Sequence, residues 1–194
     1  MITVEYLMNK MKELNYPILD DNKPFHLNII GIRNLNHKVD VFNDKLAVLF
    51  KLRGEWTVRI FDCTTDPGML PLTSPSNIKG TAILVPGRYP VYTIDKHQGK
   101  YEALCQRLGP VSVYRDNNRD LKHDFNRATI DTGMFGINIH RANETRRSTV
   151  IGRWSEGCQV IPDPTQFEQF MWLCRQSVKH RENRFVYILI EDFI

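Results

Sequence analysis

The segments Gly-Ile-Asn-Ile-His at 136–140 and Ser-Glu-Gly-Cys-Gln-Val at 155–160 carry the pattern around which the chain is organised. In the first segment, isoleucines alternate with polar residues, which is typical of a strand with one apolar face. In the second, Gly157 permits a sharp turn directly before Cys158. The pattern predicts a strand that ends in an exposed histidine, His140, followed by a polar loop and a tight turn that presents a thiol.

A histidine and a cysteine in these positions indicate nucleophilic chemistry. An imidazole can take the proton of a thiol and later return it to a leaving amine. His140 and Cys158 are eighteen positions apart, so they would meet only in a fold that brings the intervening loop back beside the strand end. The backbone N–H groups of Gly157 and Cys158 would then stabilise the oxyanion of a tetrahedral intermediate. The predicted reaction is acyl transfer from an amide or ester.

Composition excludes several other classes of protein. The chain has 194 residues, 42% of them hydrophobic and 25% charged, which predicts a globular protein with one main domain. No apolar run approaches the roughly 20 residues of a membrane-spanning helix. The net charge is only +4, whereas a nucleic-acid-binding protein usually has a denser basic face. The four cysteines contain no Cys-x-x-Cys pair, so we expect no structural metal site and no cofactor. We also expect the protein to reside in a reducing compartment.

Apolar periodicity predicts a β-rich α+β domain over residues 23–194, preceded by a helical segment and linker over residues 1–22. The first helix would be either a lid packed on the domain or a docking element for a partner. A second helix is predicted after Asp163, with Pro164 at its first position. Strands are predicted near 25–29, in a hairpin over 45–62, at 81–85, 89–94 and 111–114, and as a buried strand at 185–190. The segment 70–79 is predicted to be a loop.

The arrangement His-x14-Ser-x-Gly-Cys, formed by His140, Ser155, Gly157 and Cys158, resembles the signature of the L,D-transpeptidase catalytic domain. That family cross-links or trims peptidoglycan peptides. The resemblance implies a mixed β-sheet or sandwich with peripheral helices, Cys158 as the acylated nucleophile, and His140 as general base and acid. It also implies that Ser155 shapes the turn and that the backbone carbonyl of Arg141 orients the imidazole.

Two positions depart from the family pattern. The family usually has histidine where this chain has Glu156, and arginine or asparagine where it has Val160. The usual contact with a substrate carboxylate would therefore need a replacement. Arginine suits this role, because guanidinium groups bind carboxylates well. Candidates for this contact are Arg141, Arg147, Arg153 and Gln159. Trp154 either covers the nucleophile or anchors the loop. His97, in Asp-Lys-His-Gln-Gly, is predicted to be a surface histidine, with a position lining the cleft as the alternative.

A wider likeness from about residue 29 onward links the chain to a group of proteins encoded by phages and bacterial genomes. This likeness makes a bacterial or phage origin the expectation. It fits a chain that is made in the bacterial cytoplasm without a signal peptide and acts at the cell wall after lysis or dedicated export. The segments that carry it are Gly-Ile-Arg at 31–33, Phe-Asn-Asp at 42–44, Thr-Thr-Asp-Pro-Gly at 64–68, Lys-Gly-Thr-Ala-Ile-Leu at 79–84, Val-Tyr-Arg-Asp at 113–116 and Gly-Cys-Gln-Val at 157–160.

Together these features predict cysteine-dependent acyl transfer or hydrolysis on peptidoglycan-type peptides that contain D-amino acids. An amine acceptor would make the protein a transpeptidase, whereas water would make it a peptidase, and the sequence leaves this choice open. The expected partner is the peptide stem of peptidoglycan, with no nucleic acid and no membrane span. The alternative is a noncatalytic phage structural or cell-wall-binding module that retains the fold, which the departures at Glu156 and Val160 motivate.

Overall fold

The computed structural model describes residues 1–194 and contains eleven strands and three α-helices. The helices are α1 (Val4–Glu13), α2 (Met69–Thr73) and α3 (Pro164–Val178), and Arg127–Thr129 forms a 3-10 turn. The strands are β1 (Asn28–Asn34), β2 (Asp44–Leu52), β3 (Glu55–Cys63), β4 (Thr81–Leu84), β5 (Gly87–His97), β6 (Tyr101–Gln106), β7 (Val111–Asp116), β8 (Asp131–Gly133), β9 (Ile139–Arg141), β10 (Gln159–Ile161) and β11 (Phe185–Asp192).

Eight strands form one mixed sheet in the order β10-β9-β6-β5-β11-β1-β2-β3, and β4-β7-β8 form a small antiparallel sheet. In the large sheet, β1 is parallel to β11 and β9 is parallel to β10. The two edge strands approach each other, because Thr64, directly after β3, forms a bridge with Val160 of β10 through two hydrogen bonds of 2.9 Å. The large sheet is therefore nearly closed.

Both faces of the central strands are buried, each against a different layer. On β11, Tyr187 and Leu189 belong to the main core, which α3 and the small sheet complete. The alternate residues Ile188 and Ile190 belong to a second core beneath α1. Strands that are covered on both faces have nearly continuous apolar sequences, which explains the sequence of β11.

The N-terminal helix packs on the outer face of the large sheet. Thr3 caps it by accepting a hydrogen bond from the N–H of Tyr6 at 3.1 Å, and Leu7 and Met11 are fully buried. The hydroxyl of Tyr6 also donates to Asp192, at the end of β11, at 2.7 Å. Of the two roles considered for this helix, packing on the main domain is the one that the structure displays.

The predicted β-rich α+β class is confirmed, as are the 45–62 hairpin, the central strand β11, and the start of α3 after the capping residue Asp163. The prediction of an unbroken loop over 70–79 was wrong, because this segment includes most of α2. Strands β6, β8 and β10 were missed, and the strand that carries His140 is only three residues long. None of the three helices is both long and apolar enough to cross a membrane.

Candidate active site

His140 and Cys158 lie on neighbouring parallel segments of the large sheet. His140 is in β9 opposite Val160 of β10, and Cys158 directly precedes β10. The N–H of Gln159 donates to the carbonyl of Asn138 at 2.9 Å, which fixes the two segments in register at the cysteine. The loop between them therefore returns as predicted. His140 and Cys158 both line one cleft of about 1190 Å³.

The turn before the cysteine is held by Ser155. Its hydroxyl donates to the carbonyl of Cys158 at 2.7 Å and accepts from the N–H of Gly157 at 3.2 Å. Gly157 has a φ of +114°, and a Cβ at this position would lie 2.5 Å from the carbonyl oxygen of Ala82. Only glycine fits there without displacing β4. Ser155 is fully buried, so it shapes the turn and does not reach the cleft.

The Cys158 sulfur lies between two backbone groups. It accepts from the N–H of Asn138 at 3.4 Å and donates its S–H to the carbonyl oxygen of Gly136, which is 3.4 Å from the sulfur. Burial raises the pKa of the thiol to about 11, while the Asn138 N–H opposes this shift. At neutral pH the group is therefore a thiol. It is half-buried, whereas the other three cysteines, Cys63, Cys105 and Cys174, are at most 1% exposed.

The imidazole of His140 has a defined tautomer. Its Nδ1 is 2.7 Å from the carbonyl oxygen of Arg141, which can only accept, so Nδ1 carries the hydrogen and Nε2 keeps a lone pair. This is the carbonyl contact that the family resemblance implies. Burial, with a smaller contribution from charge on the neighbouring His97, lowers the pKa of His140 to about 3. The expectation of an exposed histidine was wrong, because His140 is only 5% exposed.

His97 is a cleft residue that the sequence interpretation misplaced on the surface. It is 7% exposed, and its ring stacks on that of His140 with centroids 4.1 Å apart and an interplanar angle of 18°. Its Nδ1 is 3.0 Å from the amide nitrogen of Asn138. Tyr101, from the other strand of the β5-β6 hairpin, brings its hydroxyl to 3.4 Å from the Nδ1 of His140. The hairpin thus covers the histidine.

The predicted pair of oxyanion donors is reduced to one. The N–H of Gly157 already donates to Ser155, at 3.2 Å. The N–H of Cys158 has no acceptor in the structure and remains free to stabilise an oxyanion. Of the two groups named from sequence, the Cys158 N–H is therefore the candidate.

Three of the predicted substrate-contacting residues line the cleft. Arg141 stacks on the ring of Tyr101 at 3.8 Å and pairs with Glu144 at 3.1 Å. Arg153 and Trp154 are exposed on the cleft wall, and Arg153 forms no ion pair. These residues are in a position to contact a ligand.

The structure does not support a substrate contact for Gln159, Gly157 or Arg147. Gln159 is only 1% exposed, donates to the carbonyl of Gly157 at 3.2 Å and accepts from the hydroxyl of Tyr187 at 2.8 Å. Its amide is thus used within the core. Arg147 pairs with Asp62 at 2.7 Å and does not line the cleft.

The two departures from the family pattern have structural roles. Glu156, on the cleft wall, accepts a hydrogen bond from the N–H of Ser76 at 2.8 Å and thereby joins the turn to the 74–80 loop. Val160 is fully buried opposite His140. Neither is placed to bind a carboxylate.

The cleft carries more positive than negative charge. Its side chains include four cations, Lys100, Arg115, Arg141 and Arg153, and two carboxylates, Glu144 and Glu156. Lys100 and Arg153 form no ion pair, so their charges are available to an anionic ligand. No group of three or more His, Cys, Asp or Glu side chains in the structure is arranged to hold a metal ion.

Comparison of the chain with protein-family models, with curated proteins and with solved structures gave no match. Function must therefore be inferred from the residues of the cleft itself.

Proposed function

We propose that the protein is an enzyme that performs cysteine-dependent acyl transfer or hydrolysis on peptidoglycan-type peptides containing D-amino acids. One observation carries the proposal: the Cys158 thiol shares a cleft with a histidine whose Nδ1 is bonded to the Arg141 carbonyl, which leaves Nε2 as a base. A nucleophile, a base and a group that orients the base form the arrangement required for covalent catalysis.

In the first half of the reaction, Nε2 of His140 takes the proton of Cys158 while the sulfur attacks the carbonyl carbon of the acyl donor. The Cys158 N–H donates to the oxyanion that forms. The carbon–nitrogen bond then breaks, and the leaving amine receives the proton from His140. The products are a thioester on Cys158, a free amine and neutral His140.

In the second half, water or an amine gives its proton to Nε2 of His140 and attacks the thioester. The carbon–sulfur bond breaks, and the sulfur regains the proton from His140. Water yields a carboxylic acid and an amine acceptor yields a new amide. Peptidase and transpeptidase activity thus differ only in the acceptor.

The resting pair is neutral, because burial raises the pKa of Cys158 to about 11 and lowers that of His140 to about 3. Proton transfer must therefore accompany attack rather than precede it. A base with a lowered pKa stays unprotonated well below pH 6.5, the ordinary value for histidine. We therefore expect no loss of activity from His140 protonation between about pH 7 and about pH 5.

The substrate class rests on the resemblance of His140, Ser155, Gly157 and Cys158 to the L,D-transpeptidase signature, and the nearly closed β-rich sheet is compatible with an L,D-transpeptidase-like fold. The unpaired cations Lys100 and Arg153 suit the carboxylates of a peptide stem. The proposed place of action is the bacterial cell wall, reached after lysis or by dedicated export.

Incubation with purified muropeptides tests the proposal. We expect wild-type protein to convert them into hydrolysed or cross-linked peptides, observed by liquid chromatography and mass spectrometry, and Cys158→Ala to produce neither. Cys174→Ala is the matched control, because it removes a thiol that is buried in α3 away from the cleft. Unchanged muropeptides with wild-type protein, or equal turnover by Cys158→Ala, would contradict it. Sedimentation with intact sacculi but without turnover would favour the noncatalytic wall-binding alternative.

A further inference from the structure

We infer that His97 and Asn138 form a positioning unit for the proposed cysteine chemistry, in which Asn138 holds His97 as a neutral imidazole and the face of His97 supports the ring of His140. This inference rests on the proposed function. It assigns roles to two residues that the His140–Cys158 pair does not by itself require.

The orientation of the Asn138 side chain is fixed by its neighbours. Its Oδ1 accepts from the N–H of Gln106 at 2.9 Å, so the NH₂ group must point the other way. There it meets Nδ1 of His97 at 3.0 Å. The backbone N–H of the same asparagine contacts the Cys158 sulfur at 3.4 Å. Asn138 therefore touches both the nucleophile and the ring that supports the base.

This orientation determines the protonation state of His97. An amide NH₂ group can only donate, so Nδ1 of His97 must accept and the ring hydrogen lies on Nε2. A charged His97 would place a second hydrogen on Nδ1, directed at the amide hydrogens of Asn138. Burial opposes the charged form as well and lowers the pKa of His97. The ring beside His140 is thus a neutral aromatic surface.

The stacked arrangement matters when His140 becomes charged. The groups that contact the His140 ring are His97 of β5, Tyr101 of β6 and the carbonyl of Arg141 in β9, and the Cys158 thiol lines the same cleft. Positive charge on His97 disfavours an imidazolium at His140, and the like charge of Arg141 disfavours it to a smaller extent. A neutral ring face 4.1 Å away offers a cation–π contact that offsets part of this cost. A charged His97 would instead add to the repulsion.

Alkylation of Cys158 by iodoacetamide tests the inference without a peptide substrate. The other three cysteines are at most 1% exposed, so the first adduct in intact-mass spectra of the folded protein is expected on Cys158, and peptide mapping checks its position. Rates are compared at about pH 7, where the thiol needs a base, and at about pH 10.5, where about a quarter of a thiol with a pKa of about 11 is ionised without one.

The variants His97→Leu and His97→Phe are a matched pair. Both remove the bond to Asn138, but only phenylalanine keeps a flat aromatic face beside His140. At about pH 7 we expect alkylation to be about tenfold slower in His97→Leu and to stay within about twofold of wild type in His97→Phe. At about pH 10.5 the rates should converge, which a merely structural change in access to the thiol would not produce.

A wild-type rate in His97→Leu at about pH 7, with His140→Ala strongly slowed, would overturn the role of His97 and leave the proposed function intact. Equal slowing of His97→Leu and His97→Phe would place the effect in the lost bond to Asn138 and would also overturn the stacking role. If His140→Ala itself alkylates at the wild-type rate, the proposed function and this inference both fail. Circular dichroism of each variant checks that the fold is retained.

Discussion

Replacing His140 with alanine is expected to slow acylation of Cys158 by muropeptides roughly 10²- to 10⁴-fold at neutral pH, the range for loss of a general base. The reason is the state of the thiol: burial raises its pKa to about 11, so very little thiolate exists without a base. The rate would be measured under single-turnover conditions by acid quenching and intact-mass spectrometry.

The pH dependence separates loss of a base from a collapsed cleft. Below its pKa, the thiolate fraction of a thiol rises about tenfold per pH unit. The acylation rate of His140→Ala should therefore approach that of wild type between about pH 7 and about pH 10. His140→Gln fills more of the vacated volume and should behave in the same way. His180→Ala, which removes an exposed histidine after α3, should match wild type. A wild-type acylation rate in His140→Ala at neutral pH would refute the assignment of the base.

Replacing Arg33 with leucine is expected to lower the free energy of unfolding by about 3–5 kcal/mol at neutral pH, as when one partner of a buried ion pair is removed. Arg33 is fully buried in β1, with its Nε 2.8 Å from Asp66 and its Nη1 3.2 Å from Glu191. It also donates to the carbonyl of Leu84 in β4 at 2.8 Å. It therefore links the large sheet to the small one.

The sign of the pH dependence follows from Asp66. Burial alone would raise the pKa of this carboxyl, but the charge of Arg33 holds it below its ordinary value. Without Arg33, the largest influence that opposes burial is lost, and the pKa of Asp66 rises. Burial already raises the pKa of the neighbouring Asp44 to about 7, with repulsion from Asp66 adding to the shift. The loss in free energy of unfolding caused by Arg33→Leu should thus be largest near pH 7 and smaller near about pH 4.5, where both carboxyls take up protons.

Urea denaturation of Arg33→Leu and Arg147→Leu measures this effect against a matched control. Arg147 also pairs with an aspartate, Asp62, at 2.7 Å, but its side chain is 50% exposed, so its loss should cost at most about 1 kcal/mol. A change within about 1 kcal/mol for Arg33→Leu would mean that Arg33 does not hold the buried carboxylates together.

Elements with a strong local signal were predicted from sequence. The 45–62 hairpin alternates regularly, and α3 begins with an aspartate cap followed by proline. Strand β6 was missed because Ala103 to Gln106 are all buried and show no alternation. The signal that could have found it is Gln98-Gly99 in the three-residue connection 98–100, where the two residues have φ values of +50° and +73°.

The site was predicted only as far as its local motif extends. The resemblance connected His140 with Cys158, and the pairing of β9 with β10 places Cys158 two positions before Val160, the partner of His140. His97 was missed because its position depends on the β5-β6 hairpin, which was not predicted. Gln159 was a candidate for the contact with a substrate carboxylate, but the alternation of β10 turns its amide into the core toward Tyr187. Contacts between distant segments have no local signature.

The proposed function requires that Cys158 becomes acylated by its substrate. Wild-type protein is mixed with purified muropeptides, quenched in acid over a time course, and analysed by intact-mass and peptide-mapping mass spectrometry. We expect a transient mass increase equal to the donor acyl group, located on the peptide that contains Cys158 and absent from Cys158→Ala. An unmodified Cys158 at every time point, with the muropeptides also unchanged, would contradict it.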